Sequence, residues 1–153
     1  GDGDIIEVRP AAAALAETIA GRLARHPGAA LFIDYGHAES AVGDTLQAVK
    51  NHEYHDPLAA PGEADLTAHV DFAAFGRTAA GAGALFLGPI GQGAFLEGLG
   101  IGVRAEALMA AQPTQAREIE AAVSRLTSED AMGRLFKVMV LVSPSLAPPP
   151  GFE

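Results

Sequence analysis

The five apolar residues Ala29-Ala30-Leu31-Phe32-Ile33, followed at once by Asp34-Tyr35-Gly36-His37, constrain the fold more than any other stretch. A short apolar run without alternation is the pattern of a strand buried on both faces, in a sheet that helices cover from both sides. The segment before it supplies one such helix. Pro10 suits a first helical turn, where its missing N–H is not needed. Leu15, Ile19 and Leu23 then recur at helical spacing through residues 11–25, and His26-Pro27-Gly28 ends the pattern. Helix followed by buried strand is half of a βαβ unit.

The rest of the chain continues in that style. Asp4–Val8 reads as a short strand or the lead-in to the first helix. Ala84–Leu87, closed by Gly88-Pro89, and Leu135–Val142, stopped by Ser143-Pro144, read as strands. Ala94–Leu99, Val103–Ala111 and Thr114–Leu126 read as helices, the last with Ile119, Val123 and Leu126 on one face. Ala64–Phe75 reads as the start of a helix and Gly76–Gly83 as loose chain. The fold class is therefore α/β. There is no internal repeat and no domain boundary before Pro148-Pro149-Pro150, which begins a frayed tail.

Between Gly36 and Gly62 regular patterning disappears. The stretch from His37 to Phe72 holds His37, His52, His55 and His69, four of the five histidines. Loops of that length are uncommon in compact domains unless functional or disordered, and this one is too rich in His, Tyr and Phe to be disordered. The chemistry is expected here.

Composition removes several classes of function. A net charge of −9 argues against binding nucleic acid or an anionic membrane and suits a cationic partner, such as an arginine-bearing protein. No apolar run reaches the roughly 18 residues of a membrane span. Cysteine is absent, so disulfides and thiolate metal sites are excluded. The acidic start Gly1-Asp2-Gly3-Asp4 lacks the basic residues of a signal or transit peptide. No glycine-rich nucleotide loop follows a strand. Gly98-Leu99-Gly100-Ile101-Gly102 is read as flexible backbone between helices.

Several blocks taken together are specific. They are Asp34-Tyr35-Gly36-His37, Asp56-Pro57-Leu58 with Pro61-Gly62, and Asp65-Leu66-Thr67-Ala68-His69-Val70-Asp71-Phe72. With Gly88-Pro89-Ile90-Gly91-Gln92-Gly93-Ala94-Phe95-Leu96 and Leu99-Gly100-Ile101, they resemble the MidA-like family of S-adenosylmethionine-dependent methyltransferases. That family includes bacterial proteins and mitochondrial complex I assembly factors. The resemblance runs from Glu7 to about Val142.

It implies a Rossmann-like class I methyltransferase fold, with residues 1–147 forming the C-terminal part of the catalytic domain and 148–153 a Pro-rich tail. The glycine-rich S-adenosylmethionine loop of the family and its ribose-holding acid would lie upstream of Gly1, so no cofactor-binding residue is assigned here. The implied partners are the N-terminal half and a protein substrate, for mitochondrial members an arginine of a complex I subunit. The implied compartment is the bacterial cytoplasm, or the mitochondrial matrix in a eukaryote. Two departures are that Gly91 stands where relatives tend to carry Thr or Ser, and that Gln47–Asn51 is less basic than in many relatives.

Methyl transfer from a sulfonium is an in-line displacement that requires an oriented nucleophile and exclusion of water. A guanidinium is best held by carboxylates, which pair with it bidentately. Asp34, at the end of a strand where α/β sheets bind ligands, is one candidate catalytic residue, beside an ordinary strand-end role. His37, His69 and Asp71 are the others, with His69 and Asp71 equally able to tie the loop down by side-chain hydrogen bonds. Tyr35, Gly36, His52 and Asp56 are the expected substrate-side residues, Gly36 as the pivot of a tight turn. His52, His55, Asp56, His69 and Asp71 also have metal-ligand side chains, which would make a metal-dependent hydrolase if they converged; no metal is assigned. A non-catalytic module that docks a respiratory-complex subunit is the remaining alternative.

Overall fold

In the computed structural model, which describes residues Gly1 to Glu153, one helix leads into a run of five strands, and a second helix and a strand precede a run of helices and the last strand. Helix α1 (Pro10–Arg25) starts at its proline and buries Ala16, Ala20 and Leu23. Strand β1 (Ala29–His37) follows. Three short strands come next, β2 (Gln47–Lys50), β3 (Glu53–His55) and β4 (Asp65–Thr67), and then β5 (Val70–Asp71). Helix α2 (Phe72–Gly81) leads to β6 (Leu85–Gly91), whose pairing shifts at a bulge between Leu87 and Ile90. Helices α3 (Gln92–Gly98), α4 (Ile101–Ala111), α5 (Ala116–Thr127) and α6 (Met132–Leu135) precede the last strand, β7 (Phe136–Val142). Gly100, at φ 83°, makes the break between α3 and α4, a backbone shape that glycine adopts without strain.

The main sheet has the order β5-β1-β7-β6. β7 is antiparallel to both neighbours, so β1 and β6 run the same way on either side of it, while β5 lies parallel to the end of β1. Helices α1 and α2 cover one face. There Ala16, Ala20, Leu23, Phe72, Phe75, Ala79, Met139 and Leu141 make the core, with Phe32 edge-on to Phe75 at 4.8 Å between ring centroids. Ser143 closes this layer: its buried hydroxyl donates to the Leu23 carbonyl at 2.7 Å and accepts from the Gly28 N–H at 2.9 Å. The end of β7 is thereby fastened to the turn between α1 and β1.

The strand buried on both faces is β7, not β1. Val138, Met139, Val140, Leu141 and Val142 are all at most 2% exposed, whereas Leu31 and Ile33 of β1 are 51% and 46% exposed. The reason is position in the sheet. β7 has a strand on each side, while no strand pairs with the outer edge of β1 until Gly36. An apolar groove therefore runs along that edge, lined by Leu15, Leu31, Phe32, Ile33, Phe72 and Phe75 among others.

The excursion after β1 is also more regular than its sequence suggests. β2, β3 and β4 form a small antiparallel sheet of order β3-β2-β4. Asn51 and His52, with φ of 53° and 65°, make the two-residue connection from β2 to β3; positive φ at both positions is the signature of the hairpin turn that matches strand twist. Residues 64–71 are not helical; they hold β4 and β5, and the helix begins only at Phe72. The loose stretch expected at 76–83 is mostly the second half of α2. The tail is not wholly frayed, because the Phe152 ring packs 5.4 Å from that of Phe95.

Candidate active site

β1 continues three residues beyond Asp34, so this aspartate does not mark the end of the strand. Its Oδ1 accepts the Tyr35 N–H at 2.8 Å, its side chain is exposed, and it stands opposite Lys137 in the β1–β7 register. This placement leaves Asp34 outside the cluster formed by the other candidates.

The cluster begins at Gly36. A Cβ at this position would lie 2.2 Å from the Val70 carbonyl oxygen and 3.0 Å from the Phe72 ring. Gly36 is therefore required by close approach of two backbones and not, as its sequence context suggested, by a turn. The approach puts Gly36 opposite Val70 and His37 opposite Asp71. His37 Nε2 then lies 3.9 Å from Asp71 Oδ2, and the other oxygen, Oδ1, caps α2 by accepting the Ala74 N–H at 2.8 Å. Burial works against ionisation of Asp71. The Ala74 N–H, the Ser40 hydroxyl, His37 and Arg77 outweigh it, and the carboxyl sits below its ordinary value. Asp71 is thus an anion at neutral pH, held in place by the start of a helix.

Thr45, on the loop leading into β2, joins this cluster to the lead-in of α1. Its N–H donates to Glu7 Oε1 at 2.9 Å and its hydroxyl donates to Glu7 Oε2 at 2.7 Å. The same hydroxyl oxygen accepts the His69 N–H at 3.0 Å and an Arg9 guanidinium N–H at 3.3 Å. Arg9 also pairs with Glu7 Oε2. The Thr45 hydroxyl, with lesser help from the Thr45 N–H and Arg9, holds the Glu7 carboxyl down to about 2 against the opposing effect of burial. Glu7, Arg9, His37, Thr45 and Asp71 line one small cavity of about 150 Å³. Asp71, Glu7 and Arg9 also border a larger one of about 350 Å³ that is walled by Pro10, Val70 and Phe75.

Tyr35 and His69 flank this cluster in sequence, next to Gly36 and Val70. Their rings meet edge-on at 5.7 Å, and Tyr35 also meets Phe136 at 5.6 Å. Of the residues singled out in the sequence, Tyr35, Gly36, His37, His69 and Asp71 come together. His52 and Asp56 do not join them: His52 sits exposed at the tip of the β2–β3 hairpin, and Asp56 Oδ1 accepts the Leu58 N–H at 2.8 Å in the turn after β3. No three His, Asp or Glu side chains converge in a way that could hold a metal ion. Sequence reasoning missed Glu7, Arg9 and Thr45. Thr45 is 38 residues from Glu7, and no local spacing announces that contact.

Comparison with known proteins gives a consistent picture. Residues 1–90 match the family model described as "Putative S-adenosyl-L-methionine-dependent methyltransferase". The mitochondrial protein arginine methyltransferase NDUFAF7 of Mus musculus is 39% identical over 139 residues, which cover 90% of this chain and 31% of that protein. Its Drosophila melanogaster homolog is 40% identical over 131 residues, 84% of this chain and 30% of that one. A Burkholderia thailandensis crystal structure with bound S-adenosyl-homocysteine is 34% identical, with a TM-score of 0.79 over 95% of this chain and 37% of its own. The chain spans about a third of the length of these relatives.

Proposed function

Because the chain belongs to a family of S-adenosylmethionine-dependent methyltransferases with a Rossmann-like fold, we propose that it is the acceptor-side portion of a protein arginine methyltransferase. Residues 1–147 are then the C-terminal part of the catalytic domain, completed by a cofactor-binding part upstream. The observation that carries the reading is the convergence at the end of β1. Tyr35, His37, His69 and Asp71, spread over 37 positions of sequence, meet there beside Glu7 and Thr45.

In this reading each residue has a defined task. Asp71 presents an anionic oxygen to a guanidinium and is itself fixed by the cap on α2, so little reorganisation is needed on binding. His37, within 3.9 Å of that carboxylate, is placed to take the proton the guanidinium loses as it is alkylated. Tyr35 and His69 form an aromatic wall against which a planar guanidinium can stack. Acidic charge over the whole chain favours a basic protein acceptor.

S-Adenosylmethionine supplies the methyl group in this family. One glycine-bearing turn of this chain, from β6 into α3, leaves no room for that cofactor. The glycines at the turn from β6 into α3 are filled by protein: a Cβ on Gly91 would lie 2.9 Å from the Gly133 carbonyl, and one on Gly93 would lie 2.4 Å from that of Thr127. A side chain at position 91 has no room here without a shift of that backbone.

The relatives' names support a protein as the acceptor class; a complex I subunit is the specific acceptor we infer, in the mitochondrial matrix of a eukaryote or the cytoplasm of a bacterium. The test is methyl transfer by the upstream-extended protein to arginine peptides, with cofactor binding measured by calorimetry. Asp71→Asn, which retains a helix cap but not the charge, is expected to abolish most transfer while leaving cofactor binding intact. Cofactor binding without transfer to any arginine acceptor would replace the enzyme reading with that of a partner-docking module.

A further inference from the structure

The Thr45 hydroxyl makes three polar contacts that together dictate its own orientation. Glu7, ionised, can only accept, so the Thr45 O–H must point at Oε2. The lone pairs that remain then face the His69 N–H and Arg9. The backbone N–H of the same residue occupies the other Glu7 oxygen. One residue therefore grips a carboxylate at both oxygens and, on its far side, holds the backbone of the segment between β4 and β5.

That segment carries His69, whose ring meets Tyr35, and two residues later Asp71. Its flanks are held by the pairing of β4 with β2 and by the Asp71 cap on α2, and between them the His69 N–H is bonded to Thr45. We propose that Thr45 is a positioning residue of this site, setting through the His69 backbone where the His69 ring stands relative to the acceptor. This rests on the methyltransferase reading above, and it assigns a task to a residue that no sequence pattern marked. Glu7 is the fixed point of the device. Its Oε1 accepts the Thr45 N–H, and its Oε2 accepts the Thr45 hydroxyl and pairs with Arg9.

The experiment compares Thr45→Val and Thr45→Ser in the upstream-extended protein. Valine keeps the shape and removes both the donor to Glu7 and the acceptor for His69; serine keeps both. For Thr45→Val we expect kcat to fall on the order of tenfold or more, as for a misplacement of about an ångström, with the cofactor dissociation constant unchanged. The Glu7 carboxyl, followed by carbon NMR, should titrate well above the wild-type value. Thr45→Ser should restore both readouts. The positioning role is overturned if kcat is unaffected while the Glu7 titration moves, or if serine fails to rescue. It is equally overturned if cofactor binding is lost with activity, since that marks general damage. A wild-type protein that binds the cofactor and methylates no guanidinium overturns the functional reading itself, which the Glu7 titration distinguishes from a missing Thr45 tie.

Discussion

Replacing Gly36 with alanine tests the step on which the site depends, the close approach of β5 to β1. The added Cβ would stand 2.2 Å from the Val70 carbonyl oxygen, far inside the 3.0 Å that such contacts respect, and 3.0 Å from the Phe72 ring. Neither neighbour can yield cheaply. Val70 is backbone paired in register with Gly36 itself, and Phe72 is 1% exposed in the core. Overpacking of this kind costs about 1–3 kcal/mol. Separation of β5 from β1 would add the loss of its ladder bonds, about 1 kcal/mol each. A total near 3 kcal/mol follows, which for a chain of this size lowers Tm by about 10 °C. Equilibrium denaturation should show it, with Gly43→Ala as the control, since nothing lies within 4 Å of a Cβ there. The His37–Asp71 pair should be displaced as well, so methyl transfer falls with stability. If Gly36→Ala unfolds at the same denaturant concentration as Gly43→Ala, the close approach is not what keeps this position glycine.

Two further outcomes are expected. Asp71→Ala removes the cap of α2 and should cost about 1 kcal/mol, while Asp71→Asn should cost much less because asparagine caps equally well; denaturant unfolding of both variants checks this, and equal losses would refute the capping assignment. Glu7 has a folded pKa of about 2 against an ordinary 4.5, so its contribution is fully present above about pH 4.5 and is lost as pH falls toward 2. Glu7→Gln should therefore cost about 2 kcal/mol near neutrality, the scale of a charge-assisted hydrogen bond, and should flatten the acid limb of stability measured from pH 7 to pH 2. A variant curve parallel to the wild type would exclude the Thr45–Glu7 contact as its source.

Why some of this was legible in the sequence and some was not comes down to the range over which each contact is set. Helix α1 declared itself because Pro10, the spacing of Leu15, Ile19 and Leu23, and the His26-Pro27-Gly28 stop all act within a few turns. The strand at 136–142 declared itself because Val138 to Val142 are buried on both faces, which demands an unbroken apolar run. The same rule misled at Ala29–Ile33, where a continuous apolar run has a largely open edge and two half-exposed side chains; patterning reports what a segment can bury, and not what stands beside it. β2 to β5 are two to four residues long, too short for a period to appear, and their turn uses Asn51-His52 in place of the more recognisable Asn-Gly. The site divides the same way. His37, His69 and Asp71 drew notice through their residue types and spacing, whereas the Thr45–Glu7 tie depends on a fold that brings together residues 38 positions apart. A tertiary contact of that kind leaves no mark on either segment alone, and that is why the residue argued to position the site was invisible until the fold placed it there.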